Sequence, residues 1–198
     1  VKLERFLGLD IETTGLNIAK HGLIQIGVYE PVSAALFVSD VRPWDGVEHD
    51  PEAAKIHGIT RERQERASTS FDVDVTLEHW LAMKSIGHMD GHAVGFNVGS
   101  FDMPFVCKFL PKAAERLSYR TVDINAVAFS IADAYDQPGF SVLKERAKRS
   151  AEATLEMQGR KPQWHDAGYD AAASYYAWRY LVDQVRATRT GRIWCSNE

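Results

Sequence analysis

The chain has 198 residues, 45% of them apolar and 25% charged, proportions that fit a soluble globular fold and exclude a disordered one. The 23 basic and 27 acidic residues leave a net charge of −4, which argues against a broad basic surface for nucleic acid. No apolar stretch reaches the ~18 residues of a membrane span, and two isolated cysteines, Cys107 and Cys195, make neither a disulfide framework nor a zinc pattern, so reduced thiols and a cytoplasmic setting are expected.

Residues Arg5 to Ile11 alternate, with Leu7, Leu9 and Ile11 on one face and Phe6, Gly8, Asp10 and Glu12 on the other, which predicts a strand. Gly22–Tyr29 and Ala34–Val41 are two further strands, joined by a turn at Glu30-Pro31-Val32-Ser33. A three-stranded antiparallel start follows. Helix is predicted over Phe71–Ile86, strand over His92–Phe96, helix over Ser100–Leu110 and strand over Thr121–Ile124. Gln158–Gln163 reads as an exposed loop, and Asp166–Val185 is the clearest helix, with Ala173, Ala177, Tyr180 and Leu181 on one face. Antiparallel strands followed by α/β units predict an α/β fold, a mixed sheet covered by helices. No linker divides the chain, so one domain over 1–188 and a short tail over 189–198 are expected.

Three places carry carboxylates where an apolar side chain belongs. Asp10 and Glu12 are two apart on a strand, so both emerge on one face and repel unless a cation or a proton intervenes. They suit a hard divalent metal; an exposed strand end is the plain alternative. Asp102 starts the apolar stripe of Val106 and Phe109, as a ligand or as a residue that favours a helix start. Asp170 joins the apolar face of the last helix and needs a partner or a metal. His165 stands five residues earlier, either as a base for activating water or as a surface residue at the helix entry. Four carboxylates from three segments, each at the end of a predicted element, point to one site.

The same segments, in order, read LDIETTGL (9–16), GFNVGSFDMPF (95–105) and HDAGYDA (165–171), with PEAAKIHGIT (51–60) between the first two. This set resembles the DEDDh subgroup of 3′–5′ exonucleases, the DnaQ-like proofreading type within the ribonuclease H-like superfamily. The resemblance spans about Leu7 to about Leu181. One departure is Phe96, where many relatives carry His.

The resemblance implies a five-stranded mixed sheet with helices on both sides. It implies that Asp10, Glu12, Asp102 and Asp170 hold two divalent cations, Mg²⁺ or Mn²⁺, with Asp10 bridging. It implies His165 as general base in hydrolysis of the terminal phosphodiester, releasing a nucleoside 5′-monophosphate. Thr13, Thr14, Gly15 and Leu16 would touch the terminal nucleotide, His57 and Ile59 would lie beside its base, and Asn97 and Phe101 near the penultimate one. The expected partner is a single-stranded or frayed 3′ end, with DNA favoured over RNA; a polymerase or repair protein is a further partner class, and no membrane is involved. Arg146, Lys148, Arg149, Arg160 and Lys161 are candidates for phosphate contacts or for a solvated helix face. The alternatives are an exoribonuclease of the RNase T or oligoribonuclease type, a non-catalytic nucleic-acid-binding module on the same fold, and a small-molecule phosphoesterase.

Overall fold

The computed structural model of the chain describes residues 5–134 and 139–189. Cys195 and residues 190–198 of the expected tail lie outside the described residues. Strands β1 (Phe6–Thr13), β2 (Leu23–Glu30) and β3 (Ala35–Arg42) form the antiparallel start that the alternation predicts. Two short helices follow, α1 (Pro51–His57) and α2 (Arg61–Glu65). Asp50 caps α1 by accepting from the Glu52 N–H, Pro51 opens it and Gly58 closes it at φ 65°. Thr60 caps α2 through the Arg63 N–H.

The chain continues through β4 (Ser68–Thr69), α3 (Ser70–Met83), β5 (His92–Gly95), α4 (Asp102–Phe109), α5 (Pro111–Ala114), β6 (Val122–Asp123), α6 (Ile124–Ala134), α7 (Phe140–Met157) and α8 (Ala167–Arg189). The sheet order is β4-β3-β2-β1-β5-β6, with β4, β5 and β6 parallel to their neighbours. Six strands replace the expected five. The addition is β4, whose two residues pair with Val41 and Arg42 and are too few to carry any period.

The sheet separates two cores. Leu7, Leu9 and Ile11 of β1 pack with Val73, Leu77 and Leu81 of α3 and with Phe105 and Val106 of α4. On the other face, Tyr29 and Val94 meet α6, α7 and α8. Helix α8 presents Ala167, Ala171, Ala173 and Ala177, all fully buried. These small residues let its backbone lie on the sheet at two glycines. A Cβ on Gly8 would stand 2.0 Å from the Ala171 carbonyl oxygen, and one on Gly27 would stand 2.0 Å from that of Ala167. The helix therefore runs back along β1, its first turn over the strand's last residues.

Strand β5 pairs with β1 only from Phe6 to Gly8. The rest of β1 keeps β2 on one side and leaves a notch on the other. Asp10 and Glu12 stand at that notch, one and two pleats beyond Gly8.

Gly27→Ala is expected to lower the unfolding free energy by about 2 kcal/mol or more, because the overlap is with backbone that cannot turn aside. Gly87→Ala, whose Cβ would meet only Asp90 Cβ at 3.8 Å, is expected to stay within about 0.5 kcal/mol of the parent. Urea titration of both variants reads the difference.

Candidate active site

Strand pleating puts Asp10 and Glu12 on the face that α8 covers, where Asp10 pairs across β2 with Gly27 and Glu12 with Gln25. Both are half-buried. Asp102 begins α4 and is buried, so it is at once a helix-start residue and a member of the site. Its carboxylate takes hydrogen bonds from its own backbone N–H and from that of Ile11, in the notch left by β5. Asp170, in the first turn of α8, is also buried. Its Oδ2 accepts from the His165 backbone N–H at 2.9 Å, while Oδ1 has no partner.

Ligand atoms of Glu12, His165 and Asp170 lie within 4.8 Å of one another. Asp10 and Asp102 are outside that trio, but the charge of Asp102 acts on Glu12, and those of Glu12 and Asp170 act on Asp10. His165 is exposed and sits at φ 67°, an uncommon backbone for a non-glycine residue. The Asp170 carboxylate holds that bend.

The electrostatics are those of crowded anions. Burial, followed by the charges of Asp102, Asp170, Glu12 and Asp166, holds the Asp10 carboxyl well above the usual carboxylate range. Burial and the charges of Asp170, Asp102 and Asp166 push Glu12 up to about 8. Asp102 is pushed to about 8 by burial, against the pull of the two backbone N–H groups, and Asp123 adds to the rise. Asp170 rises to about 7 through burial, while the His165 N–H and the Lys148 ammonium pull it down. A buried carboxylate oxygen without a partner, inside a set of hard oxygen donors plus an imidazole, fits a divalent cation.

The other sequence-predicted residues divide in two. Thr14 is occupied within the protein: its hydroxyl donates to the Glu48 carbonyl at 2.7 Å and accepts from the Gly22 N–H at 2.9 Å. Thr13 donates to the Gly15 carbonyl at 2.9 Å, and a Cβ on Gly15 would lie 2.6 Å from the His21 ring. Leu16, by contrast, is 76% exposed. His57 accepts the Ile59 N–H at Nδ1, 2.9 Å away, which puts the proton of the neutral ring on Nε2. Burial, then His49 and His165, lowers its pKa, and Ile59 itself is buried. Asn97 sits at φ 59°, and its Oδ1 accepts from Asn125 at 2.9 Å. Phe101 is half-buried, with its ring 5.3 Å from that of Phe105.

Four residues that the sequence reading leaves out hold the first turn of α8. Asp166 caps it, accepting from the N–H groups of Gly168 and Tyr169 at 3.1 Å each. Buried Gln25 accepts from the Ala167 N–H at 2.8 Å and donates to Asp40 at 2.9 Å. Arg63 of α2 closes the chain with two bonds to Asp40, at 2.6 and 2.7 Å. A glutamine in the apolar run GLIQIGVY is the signal for this network, because a buried amide demands partners.

Residues 7–178 match the model of a family described as exonuclease. No curated protein sequence matches the chain. Among solved structures, product-bound exonuclease I is similar at TM-score 0.64 and 17% identity, over 93% of this chain and 45% of that one. The zinc-bound complex of E. coli exonuclease I with single-stranded DNA gives TM-score 0.64 and 19% identity, over 94% and 41%. E. coli exonuclease I with a dT13 oligonucleotide gives 0.64 and 16%, over 94% and 42%. The chain thus spans less than half the length of these proteins, and the likeness is one of fold. Among the described residues, no helix is long and apolar enough to cross a membrane.

Gln25→Leu leaves the Ala167 N–H without its acceptor and takes one donor from Asp40, which keeps Arg63, and is expected to destabilise the chain by about 1–3 kcal/mol, read from urea titration. A pH series tests the carboxylates. With all four raised, the folded metal-free chain keeps protons that the unfolded chain releases above about pH 4. Its stability from these groups therefore falls as pH climbs toward about 7 to 8. In chelator, Tm is expected to drop between about pH 5.5 and about pH 8.5. Mg²⁺ or Mn²⁺ is expected to raise Tm, and more so at the upper pH, because cations bind the deprotonated carboxylates. Asp102→Asn removes one repelling charge; it is expected to raise the chelated Tm at high pH by about 2–4 °C and to reduce the gain from metal.

Proposed function

The chain belongs to the exonuclease family of the DEDDh kind, and from that premise we propose that it hydrolyses single-stranded or frayed nucleic acid from the 3′ end. DNA is the favoured substrate, and nucleoside 5′-monophosphates are the products. The observation that carries this reading is the meeting of Asp10 and Glu12 from β1, Asp102 from α4 and Asp170 from α8, with His165 beside them. Four mutually repelling carboxylates have no structural use that an apolar set would not serve better. Exonuclease I is bound to single-stranded DNA in its solved complexes, and we carry that substrate class to this chain. Residues 1–188 form the catalytic domain in this reading. We place it in a reducing, cytoplasmic setting, which the free, exposed Cys107 supports.

Asp10, Glu12, Asp102 and Asp170 are the residues that hold divalent cations, which we take to be two, Mg²⁺ or Mn²⁺. When bound, the cations supply neutralisation of phosphodiester charge and acidify water. His165 removes the proton from the attacking water at an imidazole nitrogen. Its exposure suits a base that must reach both solvent and the terminal phosphate. The Asp170 carboxylate holds the backbone of His165 through the 2.9 Å bond, so that the ring stays near Glu12 and Asp170. Leu16 and the His57 imidazole offer apolar and ring surface to the terminal base, with Ile59 buried beside His57, whereas Thr13, Thr14 and Gly15 shape the backbone around its sugar. Stacking on such surfaces tolerates any base, and a paired terminus could not reach the carboxylates.

The test is digestion of 5′-labelled single-stranded DNA and RNA of one sequence, with Mg²⁺, with Mn²⁺ and with chelator. A ladder shortening from the 3′ end is expected, faster on DNA and absent in chelator. Asp10→Ala is expected to abolish it, and His165→Ala to slow it by about 10²–10⁴-fold. No cleavage of either polymer with either metal would overturn the reading, and faster cleavage of RNA would overturn the substrate preference.

A further inference from the structure

Helix α7 buries Leu143, Ala147, Ala151 and Leu155. Lys144 and Lys148 flank that stripe, one turn apart on the same side of the helix. Both are half-buried. Their ammonium groups stand over one ring: Lys144 Nζ is 5.4 Å from the Phe96 centroid and Lys148 Nζ is 5.5 Å from it. Lys148 Nζ is also 4.8 Å from the ring of Trp164, the residue before His165. Trp164 is itself fixed, donating from Nε1 to Glu152 at 2.5 Å and meeting Tyr169 edge-on at 5.4 Å. Phe96 follows the last residue of β5 and precedes Asn97.

Among the described residues, neither lysine is in an ion pair. Two ammonium groups over one phenyl ring repel each other, and like charges four apart on a helix destabilise it. The rings attract each cation singly but do nothing for the repulsion between them. An anion placed between the two would. Lys148 stands over the ring of the residue before His165 and its charge acts on Asp170, so this end of the pair meets the carboxylate cluster. There, a polyanion approaching four carboxylates needs positive charge most.

We propose that Lys144 and Lys148, seated on Phe96 and Trp164, clamp an internal phosphodiester of the strand whose 3′ end lies at the carboxylates. The inference rests on the proposed nucleic-acid substrate and names how the rest of the strand is held. The clamp reads charge, so it serves DNA and RNA alike and ignores sequence.

The test measures binding rather than cleavage. A fluorescein-labelled oligothymidylate of about 12 nucleotides, with a phosphorothioate 3′ linkage to slow hydrolysis, is titrated with the full chain over a salt series. For the double variant Lys144→Gln/Lys148→Gln, the slope of log Kd against log salt is expected to shrink by about 1.4, or about 0.7 per lost contact. Affinity at low salt is expected to fall by about tenfold. The Lys144→Arg/Lys148→Arg pair is expected to restore both, which separates lost charge from lost fold. Lys84→Gln, near Arg5 at the far end of β1, is expected to change neither. An oligouridylate is expected to lose as much as the oligothymidylate.

An unchanged slope in the double variant overturns the proposal, as does an equal loss in Lys84→Gln, a loss confined to one sugar, or no binding by the parent chain. The two readings separate cleanly. Binding with the expected slopes but no hydrolysis sinks the exonuclease and keeps the clamp, whereas hydrolysis with an unchanged slope sinks the clamp alone.

Discussion

The contact between helix and sheet at Gly8 and Gly27 governs everything else. Helix α8 touches the strands through its backbone, with Ala167 over Gly27 and Ala171 over Gly8. No side chain intervenes, so the first turn of the helix is brought as near to the end of β1 as packing allows. That nearness lets a carboxylate on a helix join two on a strand. The alanines of α8 and the glycines of β1 and β2 have no chemistry of their own, yet they set the spacing of the groups that do.

What the contact assembles is electrostatically unfavourable. Asp10, Glu12, Asp102 and Asp170 all resist ionisation, and Asp166 adds its own charge while capping the helix. The fold tolerates this because each neighbouring device is partial. Backbone N–H groups reach Asp102 and Asp170, Gln25 fixes the Ala167 N–H, and one ammonium stands near Asp170. None neutralises the cluster. The remaining demand for positive charge suits a bound cation.

Much of this is legible in the residues. The alternation over 5–11 and the run GLIQIGVY show strands directly, and carboxylates within such patterns mark the site. The ordered motifs single out Asp10, Glu12, Asp102, Asp170 and His165, the residues proposed above as ligands and base. Other features are illegible for identifiable reasons. Strand β4 is two residues long, shorter than any period. Helix α7 shows its stripe mainly in alanines, Ala147 and Ala151 between Leu143 and Leu155, a weak contrast. The caps of α1 and α2 are local signals, Asp50 before Pro51 and Thr60 before Arg61, and they are readable in retrospect. The Gln25 amide is visibly out of place, but its partner lies 142 residues away, and no local pattern names it. Thr14 is named by the motif, but no local pattern shows that its hydroxyl is engaged on both sides by backbone.

The chain from Arg63 through Asp40 and Gln25 to the Ala167 N–H joins four elements, α2, β3, β2 and α8, in three steps. Its outer end lies on α2, four residues after Ile59, whose carbonyl accepts from Gln64 of the same helix. Its inner end is two residues from His165. A displacement of the 57–65 segment, which faces the base of an incoming nucleotide in the proposed reading, would pull on a row of hydrogen bonds that ends beside the histidine. In the proposed reading the site therefore has the makings of a mechanical linkage, in which a poorly seated nucleotide would be felt at the proposed proton acceptor without contact between the two.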